Sequence, residues 1–508
     1  MLSKIASWLI TVKDLPIRFS KNPPRCGHLI VLVVIISLAA VVRIYNLGNK
    51  SLWLDEAFSV SSASGEDLLS VTRLVARKNV PHSPLYPWFL HCWMKFMAGR
   101  SEFLIRFPSA LFGILTVSVI YAVATRLFDE TTGLLSAMLL AVSPFHAYYS
   151  QEVRMYTLLG LATLLSTYCA LRYLEHQEAR LWIAFVLSSS LSLYVHPYAV
   201  FILLFLAIFV LLLVTTTSQY GGQFKSWLFA GWAVIGSFVP WLLVRLPQLL
   251  SGTARGFISW IEPPSPQNIV DILTGFFVAR DVAEGFYPMA ALLLAILAFG
   301  GPLSVLASKS HTRCRPLATK GLIFVLGYLA VPLVAAYSIS IFLQPIILPR
   351  TLIIVLPPAS ILVAYGLRVM RPRVVAIALG LLLLSGASLS IRQMHFSLAK
   401  EDWRGAAQDV EAVAQAADVI VLVPSYIEPA LSYYWDIENE IIEIPPDIPA
   451  ELMLSSVVDR MSPPGRVWLV LRHTHFNTLE TFMRQDPRFQ QLIDKEFRGL
   501  QIFLFSFR

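Results

Sequence analysis

For most of its length the chain alternates long apolar runs with short polar breaks. Runs occur at Leu29–Val42, Leu104–Phe128, Gly133–Phe145, Tyr156–Tyr173, Leu181–Val195, Tyr198–Thr216, Trp227–Leu246, Phe286–Ala307, Leu322–Phe342, Leu352–Leu367 and Val374–Ile391. A helix needs about 20 residues to cross about 30 Å of hydrocarbon, so the pattern predicts about eleven transmembrane helices. Gly133–Phe145 is the weakest of these and spans only if its helix extends through Tyr149. Pro84–Ala98 (PLYPWFLHCWMKFMA) is apolar but too short to cross, and its Trp, Tyr, His and Lys fit an interfacial helix.

Beyond Ile391 the pattern changes. Glu401–Ala416 (EDWRGAAQDVEAVAQA) has apolar positions at helical spacing, while Val419–Val423, Arg466–Leu471 and Leu500–Phe507 read as short buried strands. Glu428–Trp435 and Ala450–Met461 are helix candidates between them. This alternation predicts a small α/β domain of about 110 residues. The predicted organisation is a basic amphipathic amino end (1–27), a membrane domain (28–395) whose first outer loop covers about 47–100, and the α/β domain (396–508).

Composition supports the membrane assignment. Of the 508 residues 56% are hydrophobic and only 14% charged, with mean hydropathy +0.65. Soluble domains carry about 25% charged residues, so a water-soluble enzyme and a disordered chain are both excluded. The formal charge of +8 gains its meaning from position. Lys4, Lys13, Arg18, Lys21 and Arg25 precede the first span, and alternate loops hold Arg126, Arg172, Arg180, Lys225, Lys309, Arg313, Arg315, Lys320, Arg368, Arg371 and Arg373. The short loops Val195–Tyr198 and Phe342–Pro349 contain no Lys or Arg. This asymmetry predicts a cytoplasmic amino end acting as a signal anchor, and an extracytoplasmic α/β domain. Nucleic acid is not needed to explain the cations. Cys26, Cys92, Cys169 and Cys314 show no paired spacing, which supports neither a disulfide framework nor a zinc knuckle.

Polar residues with chemical potential gather in the loops assigned to the outer side. Asp55 and Glu56 (SLWLDEAFS) follow the first span, and adjacent residues diverge, so one faces a cavity while the other holds it in place. Such a carboxylate is either a general base for a hydroxyl or an acid complementing a helix N-terminus. His82 lies in PHSPLYPW on the same loop, as a structural hydrogen-bonder or a site residue. Glu152, Arg154 and Tyr156 share the turn YYSQEVRMY, where Glu152 and Arg154 either pair or line one cavity. Arg350 (LQPIILPRTL) opens a late span with no acid in its loop, which suits either a phosphate or snorkelling to headgroups. Walker, dinucleotide, Ser-His-Asp and HExxH signatures are missing from the sequence, so ATP, NAD and common protease chemistry lack support.

Taken in order, SLWLDEAFS, HSPLYPWFLHCW, GRSEFLIRFPSALFG, SPFHAYYSQEVRMYTLL, LPRTLIIVLPPASILVAYGL and KEDWRGAA resemble bacterial GT-C membrane glycosyltransferases. The likeness is to the branch that includes protein O-mannosyltransferases and the lipid A aminoarabinose transferase. It implies a GT-C fold in the bacterial inner membrane. The implied activity is inverting transfer of a hexose or pentose from a polyprenyl-phosphate sugar to a hydroxyl on a glycan, lipid or protein acceptor. It implies Asp55 as general base with Glu56 beside it, His82 matching the family's HxP element, Glu152, Arg154 and Tyr156 as cavity residues, and Arg350 on the donor phosphate. Some relatives use a divalent metal and others none; the metal ligands here are unknown, and no cofactor is certain. The competing reading is a transporter or flippase for a lipid-linked sugar. That reading predicts charges near the midplane in paired repeats, whereas the charges here gather at the rim.

Overall fold

A computed structural model describes residues 26–77, 83–251, 260–280, 287–300, 315–398, 400–436, 439–445, 448–472 and 477–508. The basic amino end (1–25), His82, and Lys309 and Arg313 lie outside the described residues. The chain forms two compact units: one takes residues 26–45, 66–93 and 106–397, the other 46–65, 94–105 and 398–508. The division is therefore not a single cut near residue 396. Two pieces of the predicted first loop belong with the carboxyl-terminal stretch.

The first unit is helical. Among the described residues eight helices are long and apolar enough to cross a membrane: Cys26–Ile44, Glu102–Leu127, Tyr156–His176, Ala199–Thr216, Phe224–Gln248, Thr319–Phe342, Pro349–Val369 and Arg373–Phe396. Three shorter apolar helices, Glu130–Ala141, Ala179–Val195 and Tyr287–Gly300, coincide with the remaining predicted spans. The run at Gly133–Phe145 does not continue through Tyr149 as one helix. Its helix stops at Ala141, and a new one, Pro144–Ser150, starts where the Ser143 hydroxyl accepts from the His146 amide at 3.2 Å and Pro144 takes the first helical position.

Burial separates peripheral from central helices. Cys26–Ile44 hides only Ile35, Ala39, Val42 and Arg43, a one-sided set at i, i+4, i+7 and i+8, and exposes Ile30, Val33, Val34 and Val41. In water such an apolar surface would aggregate; it suits lipid. Pro349–Val369 is 89% buried and Tyr156–His176 is 72% buried, so these two form the centre. Small residues allow the close approach: a Cβ on Gly366 would lie 1.7 Å from the Leu297 carbonyl oxygen.

The second unit holds a five-stranded sheet. We number the strands β1 (Val419–Val423), β2 (Ile441–Glu443), β3 (Gly465–Arg472), β4 (Phe489–Phe497) and β5 (Leu500–Phe507). Their order is β2-β1-β3-β5-β4. β1 pairs in parallel with β2 and β3, and β5 antiparallel with β3 and β4. Both faces are covered. Ile420, Leu422, Trp468, Val470, Ile502 and Leu504 pack under the helix Trp403–Glu411, while Val421, Leu469, Phe503 and Phe505 pack under Met453, Leu479 and Met483. Double burial explains the uninterrupted apolar runs of β1, β3 and β5. The two strands absent from the sequence prediction, β2 and β4, are the sheet's edges, one of three residues and one (FQQLIDKEF) largely polar and exposed.

Candidate active site

The two central helices of the first unit begin side by side and carry four of the predicted residues, with Tyr156 opening the first of them. Glu152 and Arg154 sit in the non-helical turn 151–155 that delivers the chain into Tyr156–His176, and Arg350 lies in the 3-10 turn Pro349–Val355 that opens the other central span. Gly160 and Ile353 meet where the two segments pack.

The turn is held from several directions. Gln151 donates to the carbonyls of Arg43 and Tyr45 at 3.1 and 2.8 Å, satisfying oxygens at the end of Cys26–Ile44. Ser109 donates to the Arg154 carbonyl at 3.2 Å, Thr157 donates to the Ser109 carbonyl at 3.0 Å, and the Tyr86 hydroxyl bonds Ser109 at 3.1 Å. Glu152 is fully buried. The Arg154 guanidinium, 5% exposed, donates to the Tyr156 hydroxyl at 3.3 Å and lies 5.6 Å from its ring centre.

His196 joins this group. It sits between the helices Ala179–Val195 and Ala199–Thr216, where its Nδ1 accepts from the Tyr198 amide at 3.2 Å. The Tyr198 hydroxyl donates to the Ile346 carbonyl and meets Thr351, tying this turn to the segment that carries Arg350. Burial pushes the His196 imidazole down to about 3, and the positive fields of Arg154 and Arg350 push the same way. Both guanidiniums therefore act electrostatically on one imidazole that burial keeps neutral. Two guanidiniums that bear on one buried ring suit an anion with several oxygens. Half-buried Arg350 also rests 6.0 Å from the ring of Trp260, an exposed tryptophan.

Asp55 and Glu56 belong to the other unit, at the start of the helix Leu54–Ala63. The two adjacent acids have different surroundings. Glu56, fully buried, accepts from Lys400 Nζ at 2.8 Å and from the Trp53 amide at 3.3 Å, closing the first turn of the helix. Asp55 is half-buried, and its backbone carbonyl accepts from Ser59 at 3.2 Å. The sequence gives no role to Lys400, although KEDW stands among the motifs, and marks His196 by no motif. Both become visible only through partners more than 40 residues away in the chain.

A divalent metal requires a compact donor set. Among the described residues no group of three or more His, Cys, Asp or Glu side chains lies close enough to hold an ion.

Residues 81–244 match the family described as dolichyl-phosphate-mannose-protein mannosyltransferase. No curated protein sequence matches the chain. Among solved structures, ArnT from Cupriavidus metallidurans in the apo state is similar with a TM-score of 0.60 at 13% identity, over 94% of this chain and 98% of that one. The same protein bound to undecaprenyl phosphate gives 0.54 at 14% identity, over 93% and 97%. The oligosaccharyltransferase AglB from Archaeoglobus fulgidus, in complex with an inhibitory peptide and a dolichol-phosphate, gives 0.52 at 11% identity, over 94% and 74%. At these identities the likeness shows the fold, which is the GT-C fold.

Proposed function

We propose that this membrane protein of GT-C fold is a glycosyltransferase that moves a sugar from a polyprenyl phosphate to an acceptor hydroxyl. The observation that carries the reading is that Arg154 and Arg350 stand at the starts of the two central helices, which pack together at Gly160 and Ile353, and that both charges bear on the buried His196. Their charge matches the phosphate of a lipid-linked donor. Undecaprenyl phosphate and dolichol-phosphate are the ligands named for the similar ArnT and AglB structures.

A polyprenyl phosphate keeps its tail in the bilayer, so the bond to be broken lies where the membrane meets water. In the proposed reaction the acceptor oxygen forms a bond to C1 of the sugar as the bond from C1 to the phosphate oxygen breaks. The electron pair leaves with the phosphate, which gains a negative charge that Arg350 and Arg154 stabilise. Asp55 takes the hydroxyl proton. A single displacement inverts the anomeric centre, needs no covalent enzyme intermediate and balances without a co-reactant. Glu56 supports Asp55 in this scheme rather than acting on substrate, because its carboxylate is already engaged by Lys400. Tyr156 orients Arg154, and His82 is assigned to the substrate side by resemblance alone. The charge asymmetry of the loops supports a cytoplasmic amino end with the reaction on the opposite face, and the family resemblance supports a bacterial inner-membrane location.

The test uses the purified full chain in proteoliposomes with radiolabelled undecaprenyl-phosphate mannose or undecaprenyl-phosphate aminoarabinose, and cell-envelope extract as acceptor source. The expected result is a labelled product together with free undecaprenyl phosphate. Movement of intact donor across the bilayer without a new product would replace this reading with a flippase.

A further inference from the structure

We propose that the segment Lys400–Arg404 (KEDWR) positions the general base: it clamps the helix start that carries Asp55, with Lys400 as its key residue. This inference rests on the assignment of Asp55 as base. All the contacts that carry it lie within the second unit.

Each polar side chain of the segment has a distinct partner. Lys400, 9% exposed at its side chain, reaches the fully buried Glu56 at 2.8 Å. Glu401 accepts from Trp403 Nε1 at 2.8 Å and from Arg472 Nε at 2.7 Å, which ties the segment to β3. Asp402 caps its own helix by accepting from the Gly405 amide at 3.1 Å. Arg404 donates through Nε to Glu102 at 3.0 Å and through Nη2 to the Gly48 carbonyl at 3.2 Å, while its amide donates to the Ser51 hydroxyl at 3.1 Å. Tyr434 adds a fixed point by accepting from the Leu52 amide at 2.7 Å and donating to Glu102 at 2.9 Å.

These contacts converge on residues 48–56. Leu54 and Ala57, which flank the two acids, are buried in one apolar cluster that also holds Trp403, Ala406, Ala407, Ala430 and Leu431. The backbone on both sides of Asp55 is thereby immobilised, by apolar packing at Leu54 and Ala57 and by a buried ion pair at Glu56. An ordinary helix N-terminus requires none of this, since a capping side chain suffices. A base must be held within a fraction of an ångström of its target, and misplacement by about 1 Å costs about a hundredfold in rate.

The test compares full-length variants in proteoliposomes, with undecaprenyl-phosphate mannose as donor and cell-envelope extract as acceptor. We expect Lys400→Met to lower kcat about tenfold or more, to leave the donor KM within about twofold, and to accelerate amide hydrogen exchange over residues 54–63. Lys400→Arg keeps the cation and should retain most of the rate. Wild-type kcat in Lys400→Met, or a loss of activity matched by faster exchange throughout the protein and no rescue by Lys400→Arg, overturns the clamp. Asp55→Asn serves as the control on the base itself. Lost transfer in Asp55→Asn beside full transfer in Lys400→Met sinks the clamp alone. Full transfer in Asp55→Asn, or a wild-type chain inert toward this donor, sinks the catalytic assignment and the clamp with it.

Discussion

The guanidinium of Arg43 donates to Nδ1 of His146 across 2.9 Å. Arginine has no acceptor, so Nδ1 must be the bare nitrogen and the imidazole proton sits on Nε2. The same guanidinium donates to the carbonyls of Leu140 and Ala141 at 3.0 and 2.9 Å, and so caps the helix that ends at Ala141. Arg43 is completely buried. We expect Arg43→Met to leave the Ala141 carbonyl and a buried ring nitrogen without donors and to cost about 3 kcal/mol. Thermal unfolding of the detergent-purified protein measures this, and an unchanged midpoint would remove the capping role.

Arg350 tests the anion site. Arg350→Ala should lower transfer about a hundredfold, the usual consequence of losing one preorganised donor to a developing charge. Arg350→Lys should recover part of it, because a point charge replaces the planar fork incompletely. Binding of undecaprenyl phosphate by the same variants should weaken in the same order. Intact binding in Arg350→Ala would place the phosphate elsewhere.

His196 makes a prediction about acid. Its folded value of about 3 lies below the ordinary value near 6.5, so the unfolded chain binds a proton that the folded chain refuses. Its contribution to stability is complete above about pH 6.5 and falls as pH drops toward 3, with a limiting slope of about 1.4 kcal/mol per pH unit. Melting temperature should decline over that window, and His196→Gln should flatten the decline. A pH profile identical in the variant would contradict the assignment.

Two glycines separate packing from propensity. A Cβ on Gly366 would meet the Leu297 carbonyl oxygen at 1.7 Å, whereas one on Gly231 meets nothing within 4 Å. Gly366→Ala should cost about 3 kcal/mol or more and reduce the yield of folded protein. Gly231→Ala should be neutral or stabilising by up to about 1 kcal/mol. Melting temperatures of the two variants, side by side, decide the matter.

Much of this molecule is legible from its hydrophobic pattern, because burial in lipid or between two layers of helix leaves few choices of residue. The helix Ala199–Thr216 and the strand β1 are nearly all apolar for these two different reasons. Legibility fails where burial is partial. β4 carries Gln490, Asp494, Lys495 and Glu496 because it is an edge, and no period-2 signal survives the irregularity between Gln491 and Ile493. The turn 151–155 announced itself through its density of polar residues between apolar runs. What it did not disclose was that Arg154 and Arg350, nearly 200 positions apart in the chain, bear on the same histidine. In the same way, adjacency in sequence makes Asp55 and Glu56 look alike. Only the Lys400 contact shows that Glu56 is engaged in holding the helix.

The second unit is assembled from 46–65, 94–105 and 398–508, and β5, the last strand to be made, sits inside the sheet between β3 and β4. This imposes an order of events on biosynthesis. At about 5–20 residues per second, the helix bearing Asp55 emerges roughly 20–90 seconds before Trp403 and Ile502, which share the apolar cluster of Leu54, have both been synthesised. During that interval the membrane helices insert while the helix waits without its core. A ribosome that stalls after the last span leaves a fully inserted bundle whose acidic helix has nothing to fold against.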